Sequence, residues 1–400
     1  MKIMFCGYGG AHIRTQIPVI RKLRAETDLD IEVLALTTAA QVVEREGIPA
    51  IGYRHLLSDD DDRARRFGER LAAAFPPNPV VSQDETIAYL GLNYLDLVER
   101  HGEAETERLY EQHGRAVFAP FAAMEMALQD RGVDMAIASN APRTERALIK
   151  AAQNLGKPNL VIGDAFLTGE MNWLSDNSNV RNISVFSNFV KRQLVGKGRD
   201  AGTVFVTGNP ALDRLALPSV REQGMEMRAD LGWQDNKVLT WALPLVKPGD
   251  TRVSPVEDTL DCITTMCRRD PSLRVLVRPH PNSQGMFGDL PDAFSLHPTD
   301  RPVDEAIFCC DALLTEFSMV GLEAAIAGKP VITIKSRSIV PYAELGVSVD
   351  VDSVADLPDT LNAALSGQIR PRTEEAGIPR VGEATGNVCS LILKILGAAR

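Results

Sequence analysis

Short, almost wholly apolar runs alternate with amphipathic stretches along this chain, and that rhythm narrows the fold more than any single motif. The first series reads "KIMFCG" (2–7), "IEVLAL" (31–36), "VDMAIAS" (133–139), "PNLVIGD" (158–164), "NISVFS" (182–187) and "TVFVTG" (203–208). A second series reads "KVLTWAL" (237–243), "LRVLVR" (273–278), "ALLTE" (312–316) and "PVITI" (330–334). Runs without polar alternation are strands covered on both faces, and such strands belong to parallel sheets. Between them lie helical stretches such as 11–26, where Ile13, Ile17, Ile20 and Leu23 recur at helical spacing. Two such series predict an α/β protein with two doubly wound Rossmann-like domains. The segment 207–224, "TGNPALDRLALPSVREQG", is rich in Gly, Pro and polar residues, so the hinge is expected near its start. The expected division is 1–206, 207–385 and a C-terminal helix over 386–400. A long helical block over 84–131 interrupts the first domain, and the charge run 58–66 reads as a solvated helix start. Ligands of open α/β sheets bind beyond the carboxyl ends of the strands. The two domains are therefore expected to face one another across a cleft, and motifs at strand ends carry the functional weight.

Length and charge set outer bounds. The 400 residues suit two domains of ~150–200 residues each. A formal net charge of −10 argues against nucleic acid as the main partner, while leaving room for a local phosphate pocket. The opening "MKIMFCGYGG" has the wrong form for a secretory leader, and no run reaches the ~18 apolar residues of a membrane span. The expectation is a cytoplasmic protein, with peripheral membrane contact still compatible and the oligomeric state undetermined. Cys6, Cys262, Cys267, Cys309, Cys310 and Cys389 have neither zinc-site nor disulfide-framework spacing. Cys6, Cys309 and Cys310 read as small core residues.

Four strand ends of the first series carry candidate chemistry. In "CGYGGAHIRTQIP" (6–18), Gly9 and Gly10 let a ligand approach the backbone and the helix start. Histidine at position 12 breaks the dinucleotide fingerprint, and "ALTT" lacks the acid expected for a ribose, so a nicotinamide cofactor is disfavoured. His12 sits in the first turn, either as a catalytic group or as a helix-terminus residue of no consequence. In "IASNAPRTERA" (137–147), Pro142 suits a first helical turn, and Arg143 and Glu145 either line an acceptor or pair with neighbouring charges. Asp164 in "VIGDAF" follows an apolar strand directly; it reads as a general base or as a turn aspartate. Gly208 and Asn209 in "VTGNPALD" form a tight turn whose amides can meet a ligand.

The second series carries two anion-binding features. In "VLVRPHPNS" (275–283), Pro279 ends a strand, Pro281 stiffens the next step, and His280 is held with few conformations. A rigid donor there suits a phosphate. Arg278 either supports that role or bonds carbonyls or a carboxylate. In "TEFSMVGLEAAIAGKPVI" (315–332), Ser318 is a good N-cap and Gly328 a good helix end. The amides after Ser318, from Met319 on, are placed to hold a phosphate, Gly321 leaves room for a ligand, and Glu323 is placed to accept from vicinal hydroxyls. His280 and Ser318 are expected on neighbouring strand ends. The "DVD" at 350–352 lies in an expected loop or edge, and no metal or cofactor is assigned.

These residues resemble the sugar-nucleotide enzymes of the GT-B superfamily. "GYGGAHIRTQIPVIRKL" is similar to the Gly-Gly-x-His loop of its glycosyltransferases, including the lipid-linked glucosaminyltransferase of peptidoglycan synthesis. "TGNPALDRL" and "SMVGLEAAIAGKPVI" resemble the hinge turn and nucleotide-site helix of the UDP-N-acetylglucosamine 2-epimerases. "RPHP" is similar to the His-Pro motif of bacterial sialyltransferases, Kdo transferases and glycerophosphotransferases. The resemblance implies that His280 and Ser318 touch the donor phosphate and that Glu323 binds ribose. The sequence departs from the epimerases, with "WALPLVKPGD" where their His-Arg-Arg-Glu-Asn stretch belongs, and from the His-Pro transferases, whose acidic motif is matched only by "GDAF".

The expected function is a metal-independent glycosyltransferase, moving a sugar from a CMP-, CDP- or UDP-linked donor to a hydroxyl of a glycan or lipid-linked surface-polysaccharide precursor. Asp164 is the favoured base and His12 the positioning residue. The alternatives are a 2-epimerase, hydrolysing or not, and a non-catalytic nucleotide-sugar-binding protein.

Overall fold

The computed structural model describes residues 1–58, 60–76, 78, 80–164, 166–167, 169–243, 256–280, 289–316, 318–334 and 341–398. Pro281 and most of "WALPLVKPGD" lie outside them. The chain divides into two compact units, Met1–Ala211 with Glu383–Arg400, and Leu212–Gly382. The Gly-Asn-Pro turn at 208–210 thus belongs to the first unit. So does the C-terminal helix Ala384–Ala398, whose Val388, Ile392 and Leu396 join the core of Ile13, Ile17 and Ile20.

The first unit holds one parallel sheet built from β1 (Lys2–Gly7), β2 (Asp30–Ala35), β3 (Met135–Ala138), β4 (Asn159–Ile162), β5 (Asn182–Val185) and β6 (Val204–Val206). Its spatial order is β2-β1-β3-β4-β5-β6, so the winding reverses between β1 and β3. Ile3, Phe5, Ile137, Leu160 and Ile162 meet helix residues on a covered face. The helix Gly10–Glu26 packs tightly on β1, because a Cβ on Gly7 would lie 2.7 Å from Ile13 Cδ1. Its one buried amide, Gln16, donates Nε2 to the Cys6 carbonyl at 2.7 Å, which satisfies a polar group inside that contact.

The second unit repeats the plan with β7 (Lys237–Ala242), β8 (Leu273–Arg278), β9 (Phe294–Leu296), β10 (Ala312–Thr315), β11 (Val331–Ile334) and β12 (Val349–Val351). The order is β12-β11-β10-β7-β8-β9, all parallel, and the winding reverses between β10 and β7. Two edge strands, β9 and β12, were not expected as strands. β12 carries Asp350, whose Oδ1 accepts from Ser348 Oγ at 3.2 Å and from Thr333 Oγ1. One expectation is corrected here. His280 follows β8 and Ser318 follows β10, and β7 stands between those strands, so the two are not on adjacent strand ends.

The interrupting helical block is present as Gln83–His101, Glu103–His113 and Phe121–Asp130, preceded by Asp62–Ala72 within the charge run's reach. Two glycines let the first and last-named of these, Asp62–Ala72 and Gln83–His101, meet backbone to backbone. A Cβ on Gly91 would lie 2.1 Å from the Ala64 carbonyl, and one on Gly68 would lie 2.1 Å from the Ile87 carbonyl. Neither carbonyl can yield without breaking its helix. Gly68→Ala and Gly91→Ala are each expected to lower stability by about 1–3 kcal/mol, the usual cost of overpacking. Denaturant unfolding checks this, and an unchanged midpoint in both variants would refute the tight contact.

Candidate functional site

The winding reversal of the first unit brings the ends of β1 and β3 side by side, and a polar chain runs between them. His12 lies in the first turn of Gly10–Glu26, and its Nδ1 sits 2.5 Å from Ser139 Oγ. Ser139, immediately after β3 and buried, donates its hydroxyl to Glu145 Oε2. Glu145 is 0% exposed. Its Oε1 accepts from the Tyr8 amide at 2.6 Å, and Oε2 also accepts from the Ala141 amide at 3.0 Å. Burial pushes the Glu145 carboxyl upward, while His12, Ser139 and the two amides oppose that rise. With the serine proton committed to the carboxylate, Ser139 accepts from His12 Nδ1–H. The unprotonated nitrogen is then Nε2, on a side chain 25% exposed.

Three non-glycine residues with positive φ crowd this end of the sheet. Thr37 (φ 51) follows β2 and donates its hydroxyl to the Tyr8 carbonyl. Arg143 (φ 74) follows β3, with its guanidinium 4.6 Å over the Tyr8 ring. Leu167 (φ 56) follows β4. Such conformations cost of order 1–3 kcal/mol each and concentrate where loops are held for function. Gly10 adds an amide bonded to Thr38 Oγ1 at 3.0 Å, and Gly9 is the N-cap of the β1 helix with no side-chain cap.

Asp164 follows β4 and is half-buried. Its amide donates to Asn140 Oδ1 at 3.0 Å, and its carbonyl accepts from Asn209 Nδ2. The Gly208–Asn209 turn, expected at a nucleotide, therefore clamps the Asp164 backbone within the first unit; Gly208 supplies φ 86. Glu170 was not singled out by sequence reading. Burial raises its pKa, and the Asp164 carboxylate raises it further, so two acids share this corner. Among the described residues Arg143 and Glu145 do not pair with each other; Glu145 belongs to the buried chain, 3.8 Å from His12 Nδ1, and Arg143 to the Tyr8 ring. Ser139 and Asn140, equally unexpected, stand inside the stretch "IASNAP" that was read only for the residues after it.

In the second unit, Arg278 ends β8 and is buried. Its Nη1 donates to His297 Nδ1 at 2.7 Å and to the Pro298 carbonyl at 2.5 Å, and Nη2 reaches the Thr299 carbonyl at 3.3 Å. Of its two expected roles, the structure supplies the carbonyl-bonding one. His280, two residues on, is half-buried, and burial and then the Arg278 charge lower its pKa. Ser318 caps the helix Met319–Ile326, accepting from Val320 N at 3.3 Å, while Tyr342 donates to the Ser318 carbonyl at 2.9 Å. Gly321 is filled around rather than open: a Cβ there would lie 3.0 Å from Thr315 Cγ2 and 3.2 Å from Tyr342 Cε2. Glu323 Oε2 accepts from Arg214 Nη2 at 2.5 Å, and Arg214 also bonds Asp304. That pairing uses part of the acceptor capacity expected for vicinal hydroxyls. Among the described residues no group of three or more His, Cys, Asp or Glu is placed to hold a metal.

No family model matches the sequence, and no curated protein matches it. Solved structures do. UDP-GlcNAc 2-epimerase from Neisseria meningitidis bound to UDP-GlcNAc aligns with a TM-score of 0.64 at 14% identity, over 98% of this chain and 100% of that one. UDP-GlcNAc 2-epimerase from Methanocaldococcus jannaschii aligns with a TM-score of 0.65 at 13% identity, over 98% and 100%. CalG4, the calicheamicin glycosyltransferase, gives 0.56 at 14%, over 99% and 98%. The chain has the GT-B fold. At such identities the likeness is one of fold, and it extends to GT-B proteins with different reactions, the two epimerases with the higher TM-scores. Among the described residues, no helix is long and apolar enough to cross a membrane.

The Arg278–His297 contact yields a pH test of the second GT-B unit. Arginine only donates, so His297 Nδ1 accepts and its proton is on Nε2, 3.9 Å from Glu305 Oε2. Burial and the Arg278 charge lower the His297 pKa from 6.5 to about 4. Between those values the unfolded chain binds the proton and the native one does not. Stability is therefore full above pH ~6.5 and falls as the pH drops toward ~4, by up to roughly 3 kcal/mol. His297→Gln should flatten that slope in denaturant unfolding at a series of pH values; an identical slope would place the titration elsewhere.

Proposed function

We propose that this chain is a nucleotide-sugar glycosyltransferase whose base is His12. The observation that supports this most is the chain His12–Ser139–Glu145, which leaves one imidazole nitrogen as a proton acceptor and backs it with a buried anion. In the proposed step an acceptor hydroxyl gives its proton to His12 Nε2 while its oxygen bonds the anomeric carbon of the donor. The bond from that carbon to the phosphate oxygen breaks, and its electron pair leaves with the nucleotide. The imidazolium formed is stabilised through Ser139 by Glu145, whose two amide donors hold it ionised. This reverses the roles expected from sequence, in which Asp164 was the favoured base. Asp164 has its backbone clamped by Asn140 and Asn209 and a second acid, Glu170, beside it, an arrangement suited to orienting acceptor hydroxyls. The second unit is assigned the donor, with His280 and the capped helix at Ser318 suited to its phosphate.

The second reading is a UDP-GlcNAc 2-epimerase. It draws on the Asp164–Glu170 pair, where two neighbouring acids, Glu170 with a raised pKa, can return and remove a proton at a sugar carbon, and on the epimerases among the fold relatives. Incubation with UDP-GlcNAc alone, followed by proton NMR, separates the two. The transferase reading expects the nucleotide sugar to persist; conversion to the 2-epimer or to UDP and free sugar would sink it.

Within the transferase reading, His12→Ala is expected to lower kcat by ~10²–10⁴, the scale of lost general-base catalysis. Asp164→Asn should cost less. Glu145→Gln should lower kcat and displace its pH profile, because an amide group would face the Tyr8 or Ala141 N–H in place of a carboxylate oxygen. Saturating-donor rates across pH test all three. A normal His12→Ala rate with a dead Asp164→Asn would restore the aspartate as base.

A further inference from the structure

A cavity of about 360 Å³ lies wholly within the first unit, walled in part by Tyr8, Tyr53, Phe75, Tyr89, Leu90 and Arg115. Its wall is thus shared with the loop that Glu145 holds through the Tyr8 amide. One guanidinium lines it, and a second lies over the ring of its lining residue Tyr8. Arg115 is exposed and its side chain makes only a cation–π contact, 5.2 Å from the Phe75 ring. Arg143 lies 4.6 Å over the Tyr8 ring. Neither side chain hydrogen-bonds or ion-pairs with any described residue. An aromatic face engages the flat side of a guanidinium and leaves its N–H edge without an acceptor.

Tyr89 reports on both charges. Burial is the main influence raising its phenol pKa, and Arg143 and Arg115 both act to lower it, so both are felt at one hydroxyl. That hydroxyl is buried, and the neighbouring Tyr8 side chain raises its pKa as well. Arg143 is also kept at φ 74, ψ −117, a backbone state glycine adopts freely and arginine does not.

Resting on the transferase reading, we infer that this cavity takes an acceptor made of an aromatic or apolar body carrying a phosphate. The body lies against Tyr8, Tyr53 and Tyr89, and the phosphate is engaged by Arg143 and Arg115. Two arginine forks offer more donors than one carboxylate accepts well, whereas a phosphate with three terminal oxygens can use them all.

The test is binding to the full chain without donor, by calorimetry or ligand-observed NMR, using phenyl phosphate, inorganic phosphate, phenol and benzoate. Phenyl phosphate should bind at least about tenfold more tightly than the other three and weaken with added salt. Arg115→Ala and Arg143→Gly should each weaken it by about tenfold. The first removes an exposed side chain, and the second places glycine in its preferred backbone state, so both are expected to fold, which their melting curves verify. Equal affinity in wild type and both variants, or binding of phenol or benzoate as tight as that of phenyl phosphate, overturns the inference. No turnover enters this measurement. Epimerisation of UDP-GlcNAc would therefore sink the transferase reading while leaving phenyl phosphate binding intact, and loss of that binding would leave transfer itself untouched.

Discussion

A carboxylate with no exposed surface organises the β1 and β3 end of the first unit. Taking Glu145 out of water costs several kcal/mol, and among the described residues no arginine or lysine is bonded to it in return. Its compensation comes from the Tyr8 amide, the Ala141 amide and the Ser139 hydroxyl, donors on two different loops. The glycine loop after β1 and the turn after β3 are thereby fixed relative to one another, and His12 inherits its orientation from that framework. A surface ion pair at Glu145 would have left both loops free to move independently.

The parallel sheets and their division into two series were legible because nearly continuous apolar strands have few other uses. The edge strands β9 and β12 escaped notice for the same physical reason in reverse. Each has only three residues, "FSL" and "VDV", half open to water, too short to establish a period. The polar side chains singled out at strand ends do lie there: His12, Glu145 and Asp164 are each held by hydrogen bonds beyond β1, β3 and β4. Their partnerships were not legible. Linear order places Glu145 beside Arg143, which suggests a solvated pair, yet the helix turn sends one side chain into the core and the other onto a ring. Asn209 is 45 residues from Asp164, and only the β4-to-β6 side of the sheet order makes them neighbours.

In the second unit the arginines serve the frame. Arg278 ties the end of β8 to the loop 297–299, and Arg214 gathers Asp304 and Glu323. Each arginine is an always-charged fork that satisfies several acceptors at once, which suits holding loop backbone in place. His280 is therefore presented from a β8 end that is already anchored, with Pro279 limiting the step between.

The return of the helix Ala384–Ala398 to the first unit has a consequence for biosynthesis. The amino-terminal unit is assembled from both ends of the chain, with the second unit inserted between. Ile392 and Leu396, wholly or largely buried against the first helix, are made only after the whole of the second unit. At the usual ~5–20 residues per second, the strands of the first sheet wait on the order of ten seconds or more for them. The middle of the chain can complete its own core first. The order in which these two units become whole is therefore the reverse of the order in which they begin, and the early apolar surface of Ile13 and Ile17 is one that a nascent chain must keep from other partners in the interval.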